Sequence, residues 1–280
     1  MTPRKQVVVV IACAMVLLVG AVGIVFLVDP ENPHEPISIT DDLSFIQENG
    51  VVQGNGSSQN PYVIEGWDIV APYNGSGIHI RDTDAHLLIR NVDIRSNGSS
   101  YFGICLEHAR NVTLENVRMT GNWNGVRLCD CLNVMIRRCD ASSNVYGGFQ
   151  VFSSGNISIT ESRAMDNPQN NLWVGSSNTC NISGNDFRRG NDEYQDNQLY
   201  IQRSANITYS ANVMKLCYLR IENCTGCTVS RNEFIHTTVL LWEADCSAFV
   251  ENTMTDNSYL EIWDCDDLTV DRDYPYPPGP

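Results

Sequence analysis

The stretch GIHI, residues 77–80, recurs along the chain as a short block that ends on an apolar residue. Its later copies read GICL (103–106), GVRL (125–128), GFQV (148–151), NLWV (171–174), QLYI (198–201), YLRI (218–221), VLLW (239–242) and YLEI (259–262). We take the last residue of each block as its first anchor. These first anchors are Ile80, Leu106, Leu128, Val151, Val174, Ile201, Ile221, Trp242 and Ile262. A spacing of about 20–26 residues between anchors is typical of a solenoid protein.

A second apolar anchor follows the first, nine residues later in the first repeat and eight residues later in the others. The second anchors are Ile89, Leu114, Ile136, Ile159, Ile182, Tyr209, Val229, Val250 and Val270. Apolar and polar residues alternate around both anchors, which is the period of a β-strand and not of a helix. Short strands joined by fixed turns predict an all-β fold, a right-handed parallel β-helix of about nine coils.

The positions between the two strands support the same fold. A mostly small residue lies three positions after the first anchor, at Thr83, Ala109, Cys131, Ser154, Ser177, Ser204, Cys224, Asp245 and Cys265. Four repeats carry asparagine two positions further on, at Asn111, Asn133, Asn156 and Asn206. Asparagine tolerates left-handed turns and can pair with its own copy one coil away, so this column predicts a side-chain ladder.

The pattern divides the chain into segments. We expect a short cytoplasmic N-terminus at 1–6, a transmembrane helix or signal peptide at 7–28, a linker at 29–36, an N-terminal cap at 37–61, the β-helix at 62–270 and a proline-rich tail at 271–280. Within the cap, residues 40–50 predict a short helix that starts at Thr40 or Asp41 and ends at Gly50.

Residues 7–28 contain no charged or strongly polar side chain, and 22 such residues can cross a bilayer. Arg4 and Lys5 precede the segment, which favours a cytoplasmic N-terminus and an extracytoplasmic β-helix. Cleavage of a signal peptide remains the alternative and makes the protein secreted instead of anchored in the cell membrane. Eight glycosylation sequons and ten cysteines beyond residue 28 agree with export.

The run GVVQGNGSSQNPYVIEGWDI, residues 50–69, followed by the GI-x-I and GI-x-L blocks, resembles archaeal secreted proteins of the NosD-like, PbH1-repeat β-helix group. The resemblance covers roughly residues 37–270. It implies the β-helix fold and leaves the activity open, because members of the group include copper-accessory proteins and carbohydrate-acting proteins.

Residues on either side of each first anchor point away from the core in a strand. Down the rod these pairs are His79/Arg81, Cys105/Glu107, Arg127/Cys129, Gln150/Phe152, Trp173/Gly175, Tyr200/Gln202, Arg220/Glu222, Leu241/Glu243 and Glu261/Trp263. A second aromatic column lies five residues before the anchors of three successive coils, at Tyr101, Trp123 and Tyr146. We therefore predict a ligand-binding face that stacks sugar rings and includes Tyr101, Trp123, Tyr146, Phe152, Trp173, Tyr200 and Arg220. A structural corner stack is the alternative for the column.

An enzymatic alternative rests on two glutamates. Glu222 and Glu243 fall at equivalent predicted positions on adjacent coils, about 4.8 Å apart. Two carboxyl groups that close suit a lyase, hydrolase or epimerase acting on carbohydrate, with Arg220 beside them for a uronic carboxylate. The chain lacks the paired-aspartate and histidine–glycine motifs of pectin-hydrolysing β-helices.

Charge and composition limit the other classes of ligand. The chain carries 33 acidic and 18 basic residues, a net charge of −15, which excludes nucleic acid as a partner. We expect no resident cofactor or metal, with calcium at Asp266 and Asp267 or at 192–196, or copper, as alternatives. The predicted partners are a glycan or cell-envelope polymer, and the membrane through residues 7–28.

Overall fold

The computed structural model of the protein describes residues 32–96, 100–189, 198–272 and 274–275. The predicted cytoplasmic segment and membrane span, residues 1–28, lie outside this part of the chain. The long acidic insertion at 188–197 also falls mostly outside it. Across the described ranges, no helix is long and apolar enough to cross a bilayer.

Three sheets wind around one core, and each coil contributes a strand to each sheet in turn. The first sheet contains Ile37–Ile39, Ser76–Thr83, Phe102–Glu115, Asn124–Cys129, Gly147–Phe152, Asn170–Gly175, Gln198–Gln202, Tyr218–Glu222, Thr238–Trp242 and Tyr259–Trp263. Every pairing between neighbouring strands of this sheet is parallel.

The second sheet follows the first along each coil, and Phe102–Glu115 runs through both. Its other strands are Val51–Gln53, Tyr62–Glu65, Leu87–Arg90, Leu132–Arg137, Gly155–Thr160, Asn178–Ser183, Ala205–Ser210, Thr225–Ser230, Asp245–Val250 and Thr269–Val270. All of them pair in parallel except Val51–Gln53, which is antiparallel to Tyr62–Glu65.

The third sheet consists of short strands that close each coil. They are Pro33–His34, Asp68–Val70, Asp93–Arg95, Arg118–Thr120, Arg163–Met165, Asp186–Arg188, Val213–Lys215, Glu233–Ile235 and Thr253–Thr255. A bridge through Asp140 joins the two halves of this sheet. The predicted parallel β-helix is confirmed.

The anchors form continuous columns inside the rod. In the first sheet, Ile39 pairs with Ile80, Ile80 with Leu106, and the register continues coil by coil to Ile262. A matching column in the second sheet runs from Ile64 to Val270. The first-sheet anchors from Ile39 to Leu241 are at most 1% exposed, so the core is continuous from coil to coil.

One repeat was predicted in the wrong register. Leu241, not Trp242, pairs with Ile221 and is fully buried, whereas Trp242 lies outside and is 39% exposed. The second anchor shifts with it, from Val250 to Phe249. The four consecutive apolar residues of VLLW fit either register, and the sheet pairing selects the one that buries Leu241 and exposes Trp242.

Hydrogen-bonded ladders fill the turns. Serine hydroxyls at the predicted small position accept backbone N–H groups of the preceding coil, Cys131 to Ser154 at 3.0 Å and Ser154 to Ser177 at 3.1 Å. The exposed asparagine ladder is confirmed for three coils, because Asn133 donates to Asn111 and Asn156 donates to Asn133. Each of these asparagines has a φ of +52° to +56°, the left-handed conformation that asparagine tolerates.

A second asparagine ladder lies in the core, after the second sheet. Asn185, Asn212, Asn232 and Asn252 are at most 1% exposed. Each of the last three accepts the backbone N–H of the asparagine before it, at 2.9–3.0 Å. The buried turns are therefore satisfied by side-chain amides that repeat from coil to coil.

Both ends of the rod are covered. The predicted helix at 40–50 is instead two single 3-10 turns, Asp42–Ser44 and Gln47–Asn49, capped by Asp41 and ended by Gly50 at φ +74°. Between the two turns Phe45 packs inward against the Tyr62 ring, 4.3 Å between centroids, which interrupts a regular helix. At the other end, the Tyr274 hydroxyl accepts the backbone N–H of Asn252 and completes the buried ladder.

The cysteines with described side chains are all free thiols, and most of them fill the core. Burial raises the pKa of Cys131 and Cys180 to about 11 and that of Cys139 and Cys217 to about 12. The side chain of Cys246 lies outside the described set.

Candidate functional site

The outward surface of the first sheet, which we call the first-sheet face, carries a continuous run of stacked side chains over five coils. This stacking strip consists of Phe152, Trp173, Tyr200, Arg220 and Trp242. The Phe152 ring meets the Trp173 ring edge-on with centroids 4.9 Å apart, and the Trp173 and Tyr200 centroids are 6.2 Å apart. The Arg220 guanidinium lies 5.5 Å from the Tyr200 centroid and 5.0 Å from that of Trp242. The strip thus covers about 19 Å of the rod at one strand spacing per coil.

Register explains why these groups meet. Trp173 pairs with Tyr200, Tyr200 with Arg220 and Arg220 with Leu240, so successive coils place their outward side chains directly above one another. Phe152 and Trp242 lie two residues along their strands from this column and lean onto it. Sequence reasoning predicted four members of the strip and missed Trp242, because it placed that residue in the core.

Glu222 anchors the polar side of the strip. Its carboxylate accepts a hydrogen bond from the Tyr200 hydroxyl and forms an ion pair with Arg220 at 2.9 Å. Burial, followed by the hydrogen bond to Glu222, raises the pKa of Tyr200. Tyr200 therefore remains a neutral hydrogen-bond donor at neutral pH.

The predicted equivalence of Glu222 and Glu243 is wrong by one residue. Glu222 pairs with Trp242, whereas Glu243 lies in the following turn with a φ of +46°. The cause is the same register error in VLLW. Glu222 and Glu243 therefore do not occupy equivalent positions on adjacent strands, which removes the register argument for a catalytic pair.

The predicted corner column lies beside the first-sheet face. Trp123 and Tyr146 stack with centroids 5.4 Å apart and planes at 10°, and Trp123 is 46% exposed. Tyr101, one coil earlier, is 51% exposed and tilts toward Phe102. The column exists as predicted between Trp123 and Tyr146, with its rings open to solvent.

Several outward-pointing side chains of the first-sheet face are buried. Cys105, Gln150 and Leu240 all point outward, yet each is at most 7% exposed. Several buried polar atoms on this face have no hydrogen-bond partner in the described part of the chain: Asn124 Oδ1, Arg127 Nε, Trp173 Nε1 and Arg220 Nε. Unpaired buried donors and acceptors are costly unless another molecule pairs with them. Residues of this kind are not visible in the sequence pattern.

A compact group of metal-binding side chains lies toward the N-terminal end of the same face. His79 and Cys105 are register partners on adjacent strands, and Glu107 lies two residues beyond Cys105. One ligand atom from each lies within 4.8 Å of the other two, and His79 Nε2 is 3.2 Å from Glu107 Oε2. Among the described residues no other histidine, cysteine and acidic side chains form such a group, and Asp266 and Asp267 do not. The alternative calcium residues at 192–196 lie outside the described set.

The other two sheets carry charges that neutralise one another. Residues of alternating sign occupy one column of the third sheet, where Arg118 pairs with Asp93 at 3.1 Å and Arg163 with Asp140 at 2.6 Å. A cleft at the corner of the second and third sheets is lined by Arg118, Arg138, Asp140, Glu161, Arg163 and Asp186. Because its arginines pair with acidic residues from neighbouring coils, the cleft offers little net charge to a ligand.

Comparison with solved structures shows the same fold in a bacteriophage protein. The enzymatically active domain of tailspike protein 2 of bacteriophage CBA120 is 11% identical over 85% of this chain, with a TM-score of 0.59. This chain covers 42% of that protein. The A-module of mannuronan C-5 epimerase of Azotobacter vinelandii is 14% identical over 87% of each chain, with a TM-score of 0.43.

No curated protein matches the sequence significantly. At these identities the solved structures establish the fold alone. The sequence model of the right-handed β-helix region matches residues 41–187, more than half of the chain. The chain therefore belongs to the right-handed β-helix family.

Proposed function

We propose that the protein binds a glycan or cell-envelope polymer along the first-sheet face. The observation that carries the proposal is the stacking strip, in which aromatic rings and one guanidinium contact one another on the outward side of five successive coils. Flat rings in a row suit a linear chain of sugar rings, whose C–H faces pack on aromatic faces. An extended ligand would lie along the rod axis, across successive coils.

The polar atoms of the same face support this ligand class. Asn124 Oδ1 is a buried acceptor, and Trp173 Nε1 is a buried donor, and neither has a partner in the described chain. Sugar hydroxyls donate and accept, so they can satisfy both. The ion pair between Arg220 and Glu222 cancels the local charge, and this favours a neutral sugar at the strip over a uronic acid.

A glycan array probed with the full-length chain tests the proposal. Each stacked ring contributes on the order of 1 kcal/mol, so Trp173→Ala should weaken binding several-fold. Its melting temperature should change little, because the side chain lies outside the core. Tyr73→Ala is the matched control, since Tyr73 is 77% exposed and lies outside the strip. Binding that Trp173→Ala leaves intact would contradict the proposed surface.

The corner column is tested separately. Trp123→Ala removes one partner of the Trp123–Tyr146 stack. Loss of glycan binding at unchanged melting temperature would extend the binding surface to this corner. A lower melting temperature with unchanged binding would make the stack a structural feature and restrict the surface to the stacking strip.

A carbohydrate-active enzyme is the second candidate function. The observation in its favour is the contact of Tyr200, Arg220 and Glu222, which brings a proton donor, a cation and a carboxylate together. Tyr200→Phe keeps the stacking ring and removes the hydroxyl. Cleavage or epimerisation of a bound polysaccharide that disappears in Tyr200→Phe while binding remains would support catalysis here. Wild-type protein that binds a polysaccharide without altering it would exclude this candidate for that ligand.

Two further proposals concern the cellular location of the protein and its relation to NosD-like proteins. We propose that residues 7–28 anchor the chain in the cell membrane with the β-helix extracytoplasmic, or are cleaved to release it. Membrane fractionation with N-terminal sequencing of the mature protein distinguishes these outcomes. A NosD-like copper-accessory role is a third proposal, and it predicts copper bound by the purified chain.

A further inference from the structure

We propose that His79, Cys105 and Glu107 form a zinc site toward the N-terminal end of the first-sheet face. The three side chains supply an imidazole nitrogen, a thiol sulfur and a carboxylate oxygen, all mutually within 4.8 Å. They come from adjacent strands of the first sheet, which pair in parallel with His79 opposite Cys105. The site is separate from the stacking strip, and its existence does not depend on glycan binding.

The spacing of the three groups suits a tetrahedral ion. Zinc binds nitrogen at about 2.0–2.1 Å and sulfur at about 2.3 Å, which places two ligands of a tetrahedral ion roughly 3.5 Å apart. His79 Nε2 and Glu107 Oε2 are already 3.2 Å apart. Side-chain rotation at Glu107 and His79, each about one-third exposed, is enough to bring both onto an ion held by Cys105.

The donor set favours zinc over calcium and magnesium. Calcium and magnesium take oxygen ligands, and a site with one thiol and one imidazole leaves them too few. Histidine, cysteine and glutamate are all frequent zinc ligands. On binding, zinc replaces the proton of the Cys105 thiol, which leaves as a solvent proton, and the existing contact between His79 and Glu107 gives way to two metal bonds.

The surroundings keep the site open on one side. Cys105 is buried at 3% exposure, while His79 and Glu107 flank it and reach solvent. Arg127, the next register partner of Cys105, lies over the Phe102 ring at 5.2 Å. Three protein ligands leave a fourth position for water or for a ligand oxygen, as in zinc sites that bind or activate small molecules.

Metal titration of the reduced full-length chain tests the site. We expect one zinc per chain, and one cobalt in its place that shows the charge-transfer absorption of a thiolate–cobalt bond. Cys105→Ser should abolish this band. His79→Gln and Glu107→Gln should each weaken zinc binding by more than about tenfold, at least the effect of losing an outer-shell partner.

Two neighbouring residues serve as matched controls. Cys129 occupies the position of Glu107 one coil later, and His108 lies beside Glu107 between Asp82 and Asp130. Cys129→Ser and His108→Gln should bind zinc as the wild type does. All variants must keep the wild-type melting temperature without metal. Because the Glu107 side chain is about one-third exposed and not buried, Glu107→Gln secures the test if Cys105→Ser is unstable. Absence of stoichiometric zinc, a thiolate band that survives Cys105→Ser, or a loss caused by either control would overturn the site. Preferential binding of copper would overturn the choice of metal.

Discussion

The buried asparagine ladder and the first-sheet face are both columns of side chains that repeat once per coil, yet they differ in kind. The ladder repeats one residue type, Asn185 through Asn252, and each amide satisfies the next. The first-sheet face changes chemistry along the rod, from His79 and Cys105 through Gln150 to Trp173 and Arg220.

Under the proposed function, this difference separates the residues that fold the protein from those that bind a ligand. Inside the rod, each asparagine of the buried ladder bonds to the asparagine of the neighbouring coil, so repetition satisfies buried polar groups and stabilises the stack. On the first-sheet face, no group repeats for long, and buried polar atoms such as Asn124 Oδ1 and Trp173 Nε1 have no partner in the described chain. The departures from the repeat lie on the face along which we propose that a glycan binds.

The largest expected effect comes from breaking the interior at an anchor. Ile201 is fully buried between Val174 and Ile221, so Ile201→Asp places an unpaired charge in the core and should unfold the protein. Gln202→Asp, one residue along and facing outward, should remain folded. Circular dichroism and gel filtration measure both. A folded Ile201→Asp protein would contradict the assigned interior.

The two asparagine ladders provide the next comparison. Asn232 accepts the Asn212 backbone N–H at 2.9 Å and donates to the Tyr209 carbonyl at 3.0 Å. Asn232→Ala leaves both buried groups unpaired and should reduce the free energy of unfolding by about 2–5 kcal/mol. Asn133→Gly keeps the left-handed turn and removes an exposed rung, so it should cost less than about 1 kcal/mol. Denaturant titration gives both values, and equal losses would show that burial does not distinguish the ladders.

Alkaline pH should weaken the interior through its thiols. Burial raises the pKa of Cys139 from 9.0 to about 12, so the unfolded chain loses this proton at a lower pH than the folded chain does. These thiols therefore do not change the free energy of unfolding below pH 9. As the pH rises toward 12, the free energy of unfolding falls by up to about 1.4 kcal/mol per pH unit for each such thiol. Denaturant titrations between pH 8 and 11 measure the slope. Cys139→Ala should make it shallower, and an unchanged slope would exclude a contribution from this thiol.

Most of the interior was predictable from sequence because its signal repeats. First anchors such as Ile80 and Ile201 recur with alternating polarity, and the exposed asparagines follow at a fixed offset. The buried ladder was missed, although Asn185, Asn212 and Asn232 each lie three residues after a second anchor. Placing the next anchor at Val250 instead of Phe249 broke that spacing at Asn252 and concealed the column.

The first-sheet face was less predictable, since its contacts join residues far apart in sequence. Arg220 lies between the rings of Tyr200 and Trp242, and this arrangement depends on a register that VLLW leaves ambiguous. His79 and Cys105 are 26 residues apart, so no local histidine motif reveals them. Such groups can be found by comparing the outward positions of adjacent coils for residues of shared chemistry. A search for motifs within one strand misses them.

The smallest predicted effect concerns an exception within the interior. Tyr209 is fully buried as a second-sheet anchor, and its hydroxyl has no hydrogen-bond partner in the described part of the chain. Its ring packs near Phe187 with centroids 6.4 Å apart, so phenylalanine fits the same space. Because an unpaired buried hydroxyl is unfavourable, Tyr209→Phe should raise the free energy of unfolding by about 1 kcal/mol. Tyr200→Phe, which removes a hydroxyl bonded to Glu222, should instead leave stability unchanged or slightly lower. Thermal denaturation of the two variants gives the contrast. A destabilised Tyr209→Phe protein would show that this hydroxyl has a partner, and that the interior satisfies even its irregular polar groups.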